Sequence, residues 1–145
     1  MSLERFIKAQ QTDYAKALGE LRNGAKKSHW IWYVLPQGLF PNPSYMSEKF
    51  AIKDDAEAVA YLRHPVLGSR YAECIDVIHV QILKHGIDAE VLMGSDDDAK
   101  KLQSSLTLML RVMKSESMKE SAKDCPWLAT LRLQAEALIP GLPKF

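Results

Sequence analysis

The chain has 145 residues, 47% of them hydrophobic and 26% charged, a composition that supports one buried core and excludes intrinsic disorder. Lys plus Arg number 19 against 18 Asp plus Glu, so no global field draws the protein to nucleic acid or to an acidic membrane. Two cysteines outside any CxxC pattern exclude a disulfide scaffold. With no run of about 18 apolar residues and no signal-like N-terminus, the expectation is a cytoplasmic protein.

Apolar residues at Leu3, Phe6, Ile7, Tyr14, Leu18 and Leu21 have the three-and-four spacing of an amphipathic helix. Ser2 is its expected N-cap and Gly24 its stop. Arg22, Lys26 and Lys27 around that glycine read as solvated or dipole-complementing cations rather than an anion site. A second helix is predicted from Asp54, with Glu57 at capping-box distance, to His64, because Pro65 disfavours helical geometry in the residue before it. Pro65 then opens a third helix reaching Lys84, with Gly86 as stop and a stripe of Leu67, Tyr71, Cys74, Ile75, Ile78 and Ile82.

Asp88 is expected to cap a short turn over 89–93 that closes at Gly94. Ser95, with Asp98 three residues later, is expected to cap a helix over 96–113. After a polar stretch over 114–123, Asp124 as cap and Pro126 at the first helical position predict a last helix carrying Trp127, Leu128, Leu131, Leu138 and Ile139. The result is an all-α single domain over 1–145 with about five main helices plus short helical turns. Its body spans 3–113, and an additional helix over 124–140 docks on it.

The segment His29-Trp-Ile-Trp-Tyr-Val-Leu35 has strand composition but no second strand to pair with. A short helix or a buried extended segment is expected instead. Pro36, Gly38, Pro41, Asn42 and Pro43 then predict a loop of about ten residues, longer than a connection needs.

Several blocks carry a family resemblance. They are Leu3-Glu-Arg-Phe with Ala9-Gln10; Ser28-His-Trp-Ile-Trp-Tyr-Val-Leu-Pro-Gln37; Phe50-Ala-Ile52; Glu57-Ala58; Ala60-Tyr-Leu-Arg-His-Pro-Val-Leu-Gly68 with Arg70 and Glu73; and Asp97-Asp98, Lys101-Leu102 and Ser104-Ser-Leu-Thr-Leu108. In order and spacing these resemble the bacterial family known as domain of unknown function 1810, small helical proteins sometimes mislabelled calpastatin. The resemblance implies an all-α fold and no agreed activity. Two departures stand out. The family's glycine-rich loop after Pro-Gln is here Gly38-Leu-Phe-Pro-Asn-Pro43, and the segment after Arg111 lies beyond the recognised blocks.

The candidate chemistry centres on polar groups beside aromatic ones. His29 can be a base or ligand clamp next to Trp30 and Trp32, or a structural histidine bonded to a carbonyl among packed indoles. Trp30, Trp32 and Tyr33 are either core or a stacking wall. Ser104 and Thr107 share a helix face and either bond the preceding turn or line a pocket with Gln37, Ser47 and His29. Glu48, Glu73, Asp97 and Asp98 each have a solvated or capping explanation. No paired-histidine spacing, nucleophile signature or phosphate loop is present, so no metal or cofactor is expected.

Three readings stay open. In the first, a polar, nucleotide-like small molecule binds through His29, Trp30, Trp32, Gln37, Ser47, Ser104 and Thr107. The second is a non-catalytic interaction or structural domain. The third is an N-glycosidase-like enzyme, from a similarity of Ser47-Glu-Lys-Phe50 to helical glycosidases acting on ADP-ribose-type substrates. The expected partners are a small molecule at most, with no nucleic acid and no membrane, and the expected state is a monomer or weak homo-oligomer.

Overall fold

The structure is a computed structural model that describes residues 3–145, and the side chains of all of these except residues 120–122. Among the described residues eight α-helices follow one another: α1 Glu4–Arg22, α2 Ile31–Val34, α3 Tyr45–Lys49, α4 Asp55–Arg63, α5 Leu67–His79, α6 Ala89–Met93, α7 Asp96–Met113 and α8 Leu128–Leu138. Among the described residues there is no strand, only a single parallel bridge between Gly38 and Ile52. None of these helices is long and apolar enough to cross a membrane.

The caps explain most of the boundaries. Asp54 accepts from Glu57 N at 2.8 Å, and Ser95 accepts from Asp98 N at 3.0 Å. Asp88 accepts from Glu90 N, and Gly94 ends α6 in the left-handed conformation, which a glycine adopts without a side-chain penalty. A Cβ on Gly94 would also meet Lys26 O at 2.8 Å. Ser2 lies outside the described residues.

Four boundaries differ from the pattern-based expectation. Glu57 does not complete the reciprocal box on Asp54; its buried carboxylate takes Lys53 N at 3.0 Å and Arg5 at 2.8 Å, tying α1 to the start of α4. The third helix is α-helical only to His79 and continues as a π-turn over Val80–Lys84. That turn lets Gln81 Nε2 donate to Leu21 O and Arg22 O, both at 2.9 Å, so Gln81 satisfies the open end of α1. The polar stretch holds a 3₁₀ segment, Glu116–Ala122.

Neither Asp124 nor Pro126 caps the last helix, which begins at Leu128 after Trp127 with no side-chain cap. The residues before it are committed elsewhere. Cys125 is buried, and the Trp127 indole N–H donates to Leu62 O at 2.9 Å.

Helix α5 lies in the middle, against α1, α4 and α8, while α7 packs on α4, α6 and α8. The stripes meet as their spacing requires: Leu67, Tyr71, Cys74, Ile75 and Ile78 of α5 are buried with Leu102, Leu106 and Met109 of α7. Gln10 sits in the α1 stripe fully buried. Its Nε2 donates to Tyr33 O at 2.7 Å and to Tyr61 Oη at 3.0 Å, which holds α2 against α1.

Candidate functional site

The stretch from Lys26 to Gln37 is held by three sets of polar contacts, and these decide where its end emerges. Glu20, near the end of α1, accepts from Lys27 N at 2.8 Å, Ser28 N at 2.9 Å, Ser28 Oγ at 2.6 Å and Trp30 Nε1 at 2.9 Å. Burial opposes ionisation, yet the bonds from Ser28, Lys27 and Trp30 outweigh it and hold this carboxyl at about 2, below its usual 4.5. Trp30 is consequently sealed in the core, with no exposed surface.

The second set joins this segment to α7. Lys26, expected to be solvated, is only 8% exposed. It pairs with Asp98 at 2.7 Å and lies 5.0 Å from the centre of the Trp30 ring. A buried ammonium needs such a partner.

The third set is a relay through the core. Ser105 Oγ donates to Pro36 O at 2.7 Å, and with that hydrogen committed, Tyr71 Oη donates to Ser105 at 2.9 Å. Gln37 O then accepts from Ile52 N at 2.8 Å. Replacing Ser105 by alanine leaves Pro36 O and the Tyr71 hydroxyl buried and unpaired, so chemical denaturation should register a loss of about 2 kcal/mol. A neutral result would show that the relay does not hold the segment.

Beyond Gln37 the chain leaves the core as the 38–44 loop, passes through α3, which buries no residue, and re-enters the core at Phe50, Ala51 and Ile52. Ser44 caps α3 by accepting from Ser47 N at 3.2 Å, and Ser47 Oγ donates back to Ser44 O at 3.1 Å. Between this loop and the first turns of α7 lies a cavity of about 360 Å³. Gln37, Phe40, Ser47, Asp97, Lys101 and Phe145 line it.

The Phe40 and Phe145 rings meet edge to face at 5.7 Å and form the outer wall. Lys101 pairs with Asp97 at 3.1 Å and with Asp98 at 3.6 Å. With Lys26 paired to Asp98 as well, two cations balance two carboxylates and the site carries no large net field.

Gln37 is the unusual member. It is 7% exposed, and its Oε1 is buried without a hydrogen-bond partner among the described residues. Buried side-chain oxygens are rarely left in that state, because the lost hydration is not replaced.

The residues singled out by sequence divide into two groups. Gln37 and Ser47 share the cavity, and Trp32 adjoins it through Lys101, whose Nζ lies 5.8 Å from the ring. His29 is exposed, its ring 6.5 Å from that of Trp32, and its one polar contact among the described residues is its carbonyl 3.3 Å from Tyr33 Oη, whose hydrogen is shared with Asp13. It is therefore not the buried, carbonyl-bonded histidine that one reading expected.

Trp30 is core. Ser104 and Thr107 do not line the cavity, and neither hydroxyl bonds the preceding turn. Thr107 is exposed, and the buried hydroxyl of that helix is Ser105. Loop residues 40–44, Asp97, Lys101 and Phe145 complete the cavity. The loop was readable from its prolines and Asn42; Asp97 and Lys101 belonged to a block of the family resemblance, and Phe145 had no sequence signal.

Cys74 is fully buried and burial pushes its thiol up to about 12. Among the described residues no three His, Cys, Asp or Glu side chains converge as a metal site would require.

A second cavity, of about 510 Å³, lies between the end of α7 and α8 and is lined by Met113, Met118, Leu128 and Leu133 with Lys114 and Arg132 at its rim.

Comparison with known proteins places this geometry among relatives. The family model described as protein of unknown function (DUF1810) matches residues 1–125, which extends past the blocks visible in the sequence and includes every cavity residue except Phe145. The crystal structure of the conserved hypothetical protein Rv1873 from Mycobacterium tuberculosis is similar, with a TM-score of 0.70 and 34% identity. The match covers 92% of this chain and 88% of that one. No curated protein matches the chain.

Proposed function

The chain belongs to the DUF1810 family, and from that premise we propose that it is a small-molecule-binding protein whose site is the cavity between the 38–44 loop and α7. The observation that carries this reading is the unpartnered, buried Oε1 of Gln37, a residue that lines the cavity. Its backbone is fixed by Ile52 and by the Ser105 relay, and burial of the side chain limits the rotamers open to the amide. A group kept rigid and unsatisfied is what a preformed polar site requires.

The remaining lining suits a small polar ligand. Phe40 and Phe145 offer apolar faces, Ser47 a hydroxyl, and Lys101 with Asp97 one charge of each sign. At about 360 Å³ the cavity falls at the lower end of small-molecule sites, which argues for a ligand of few rings.

The test is a thermal-shift screen of small polar metabolites against the wild-type protein and against Ser47→Trp, which fills the cavity. A ligand that binds only the folded state raises Tm with its concentration. Hits that lose their effect in Ser47→Trp support the reading. Hits unchanged by that substitution, or no hit at all, count against it.

A stability measurement complements the screen. Without ligand, Gln37→Leu removes an unsatisfied acceptor instead of a made bond, so its unfolding free energy should differ from wild type by less than about 0.5 kcal/mol or rise. A loss as large as that of Ser105→Ala would assign Gln37 a structural role.

A second reading, a non-catalytic interaction domain, has the α8 surface in its favour. Leu133 is 67% exposed beside the larger apolar cavity, the kind of surface that partner helices cover. Self-association seen by sedimentation, abolished by Leu133→Lys, would favour it over the first.

A further inference from the structure

The side-chain Oε1 of Gln37 makes no hydrogen bond to any described residue, although the residue is only 7% exposed. A primary amide places one acceptor and one donor side by side in a plane, about as far apart as the two atoms of another amide edge. Turning the group by half a revolution exchanges oxygen and nitrogen but leaves the same paired pattern. The wall beside it is aromatic, from Phe40 and Phe145 in contact at 5.7 Å, which favours a flat ring over a flexible chain.

Resting on the cavity proposed above, we propose that the ligand is a planar heterocycle presenting an amide-type edge, a donor next to an acceptor, to Gln37. Primary carboxamides on a ring, lactams and aminopurines all have this edge. Glutamine satisfies adenine in the same bidentate way, through adjacent N–H and ring-nitrogen groups. Simple sugars and aliphatic carboxylates lack it.

Lys101 and Asp97 lie on the α7 side of the cavity and neutralise one another at 3.1 Å. They therefore add polarity without demanding a charged ligand. The specificity accordingly falls on Gln37.

The experiment is a nuclear magnetic resonance titration of the full chain with nicotinamide, 2-pyridone and adenine. N,N-dimethylnicotinamide, which has no N–H, and nicotinic acid, which has no amide, serve as controls. The resonances followed are the Gln37 side-chain NH₂ and the backbone amides of Ser47, Asp97 and Lys101.

The expected result is that at least one of the three probes shifts these resonances while the two controls do not. Gln37→Leu should then weaken that probe by about tenfold or more, the loss of one bidentate pair. The dispersion of the remaining resonances establishes that the variant is folded.

Two results overturn the inference. If probes and controls shift the cavity resonances equally, the cavity binds ligands without reading an amide edge, and the proposed function stands while this refinement fails. If none of the three probes reaches the cavity resonances, the ligand class is wrong, and the metabolite screen with Ser47→Trp decides separately whether the cavity binds anything.

Discussion

Gly68→Ala is expected to cost about 3 kcal/mol or more of stability, the largest loss foreseen for any single methyl group added to this chain. Gly68 is the second residue of α5, and a Cβ there would lie 2.1 Å from Leu62 O and 2.8 Å from Trp127 Nε1. These two atoms are bonded to one another at 2.9 Å. Neither is the loose end of a flexible side chain, since one is backbone and the other belongs to an indole held by its own hydrogen bond. Relief therefore requires moving α4, α5 and the approach to α8 apart together.

Gly24→Ala provides the contrast. Its φ is +84°, but the nearest atom to an added Cβ is the mobile Ile87 Cδ1 at 3.2 Å. Backbone strain of about 1 kcal/mol is all that is expected there. Denaturant unfolding of both variants measures the difference. Equal losses would mean that the close approach at Gly68 is not what holds the three elements together.

The second large effect belongs to Glu20. Alanine there removes four hydrogen bonds to Lys27, Ser28 and Trp30, leaving donors without their carboxylate at an estimated cost of about 3 kcal/mol. The effect has a pH signature. The folded carboxyl titrates at about 2 instead of 4.5, so its contribution is fully present above 4.5 and is lost as pH falls from 4.5 toward 2. The stability gap between wild type and Glu20→Ala should therefore be constant at neutral pH and close across that acid interval. A gap that stays constant down to pH 2 would mean that the charge of Glu20 is not what organises the segment.

The contrast between what the sequence made legible and what it did not follows the range of the interactions. Asp54, Asp88, Ser95 and Gly94 act within one or two turns of their own position, and their roles were readable from neighbours in the chain. The buried hydroxyl of α7 was misassigned. Ser105 lies three residues after Leu102 and four before Met109, so helical spacing puts it, and not Ser104, on the buried face; only its acceptor, Pro36 O, 69 residues away, has no local signal.

Lys26 shows the same limit. A cation after a helix stop looks solvated until Asp98 and the Trp30 ring are folded onto it. For His29 the error ran the other way. Its aromatic neighbours suggested burial, but it is Trp30, bonded to Glu20, that turns inward.

The cavity was half visible in advance. Gln37 and Ser47 are polar residues flanking a loop too long for its task, and both line it. Phe40 belongs to that loop, whereas Asp97, Lys101 and Phe145 join only through tertiary packing. The unpartnered Oε1 of Gln37 has no sequence signature whatever, because lacking a partner is a property of the surroundings.

The most direct test of the cavity is crystallographic. Crystals of the full chain soaked with a library of small planar fragments should show density between Phe40 and Lys101, with a donor atom within hydrogen-bond distance of Gln37 Oε1. Fragments found only in the Met113–Leu133 cavity beside α8, with Gln37 left unpartnered in every soaked crystal, would contradict the assignment.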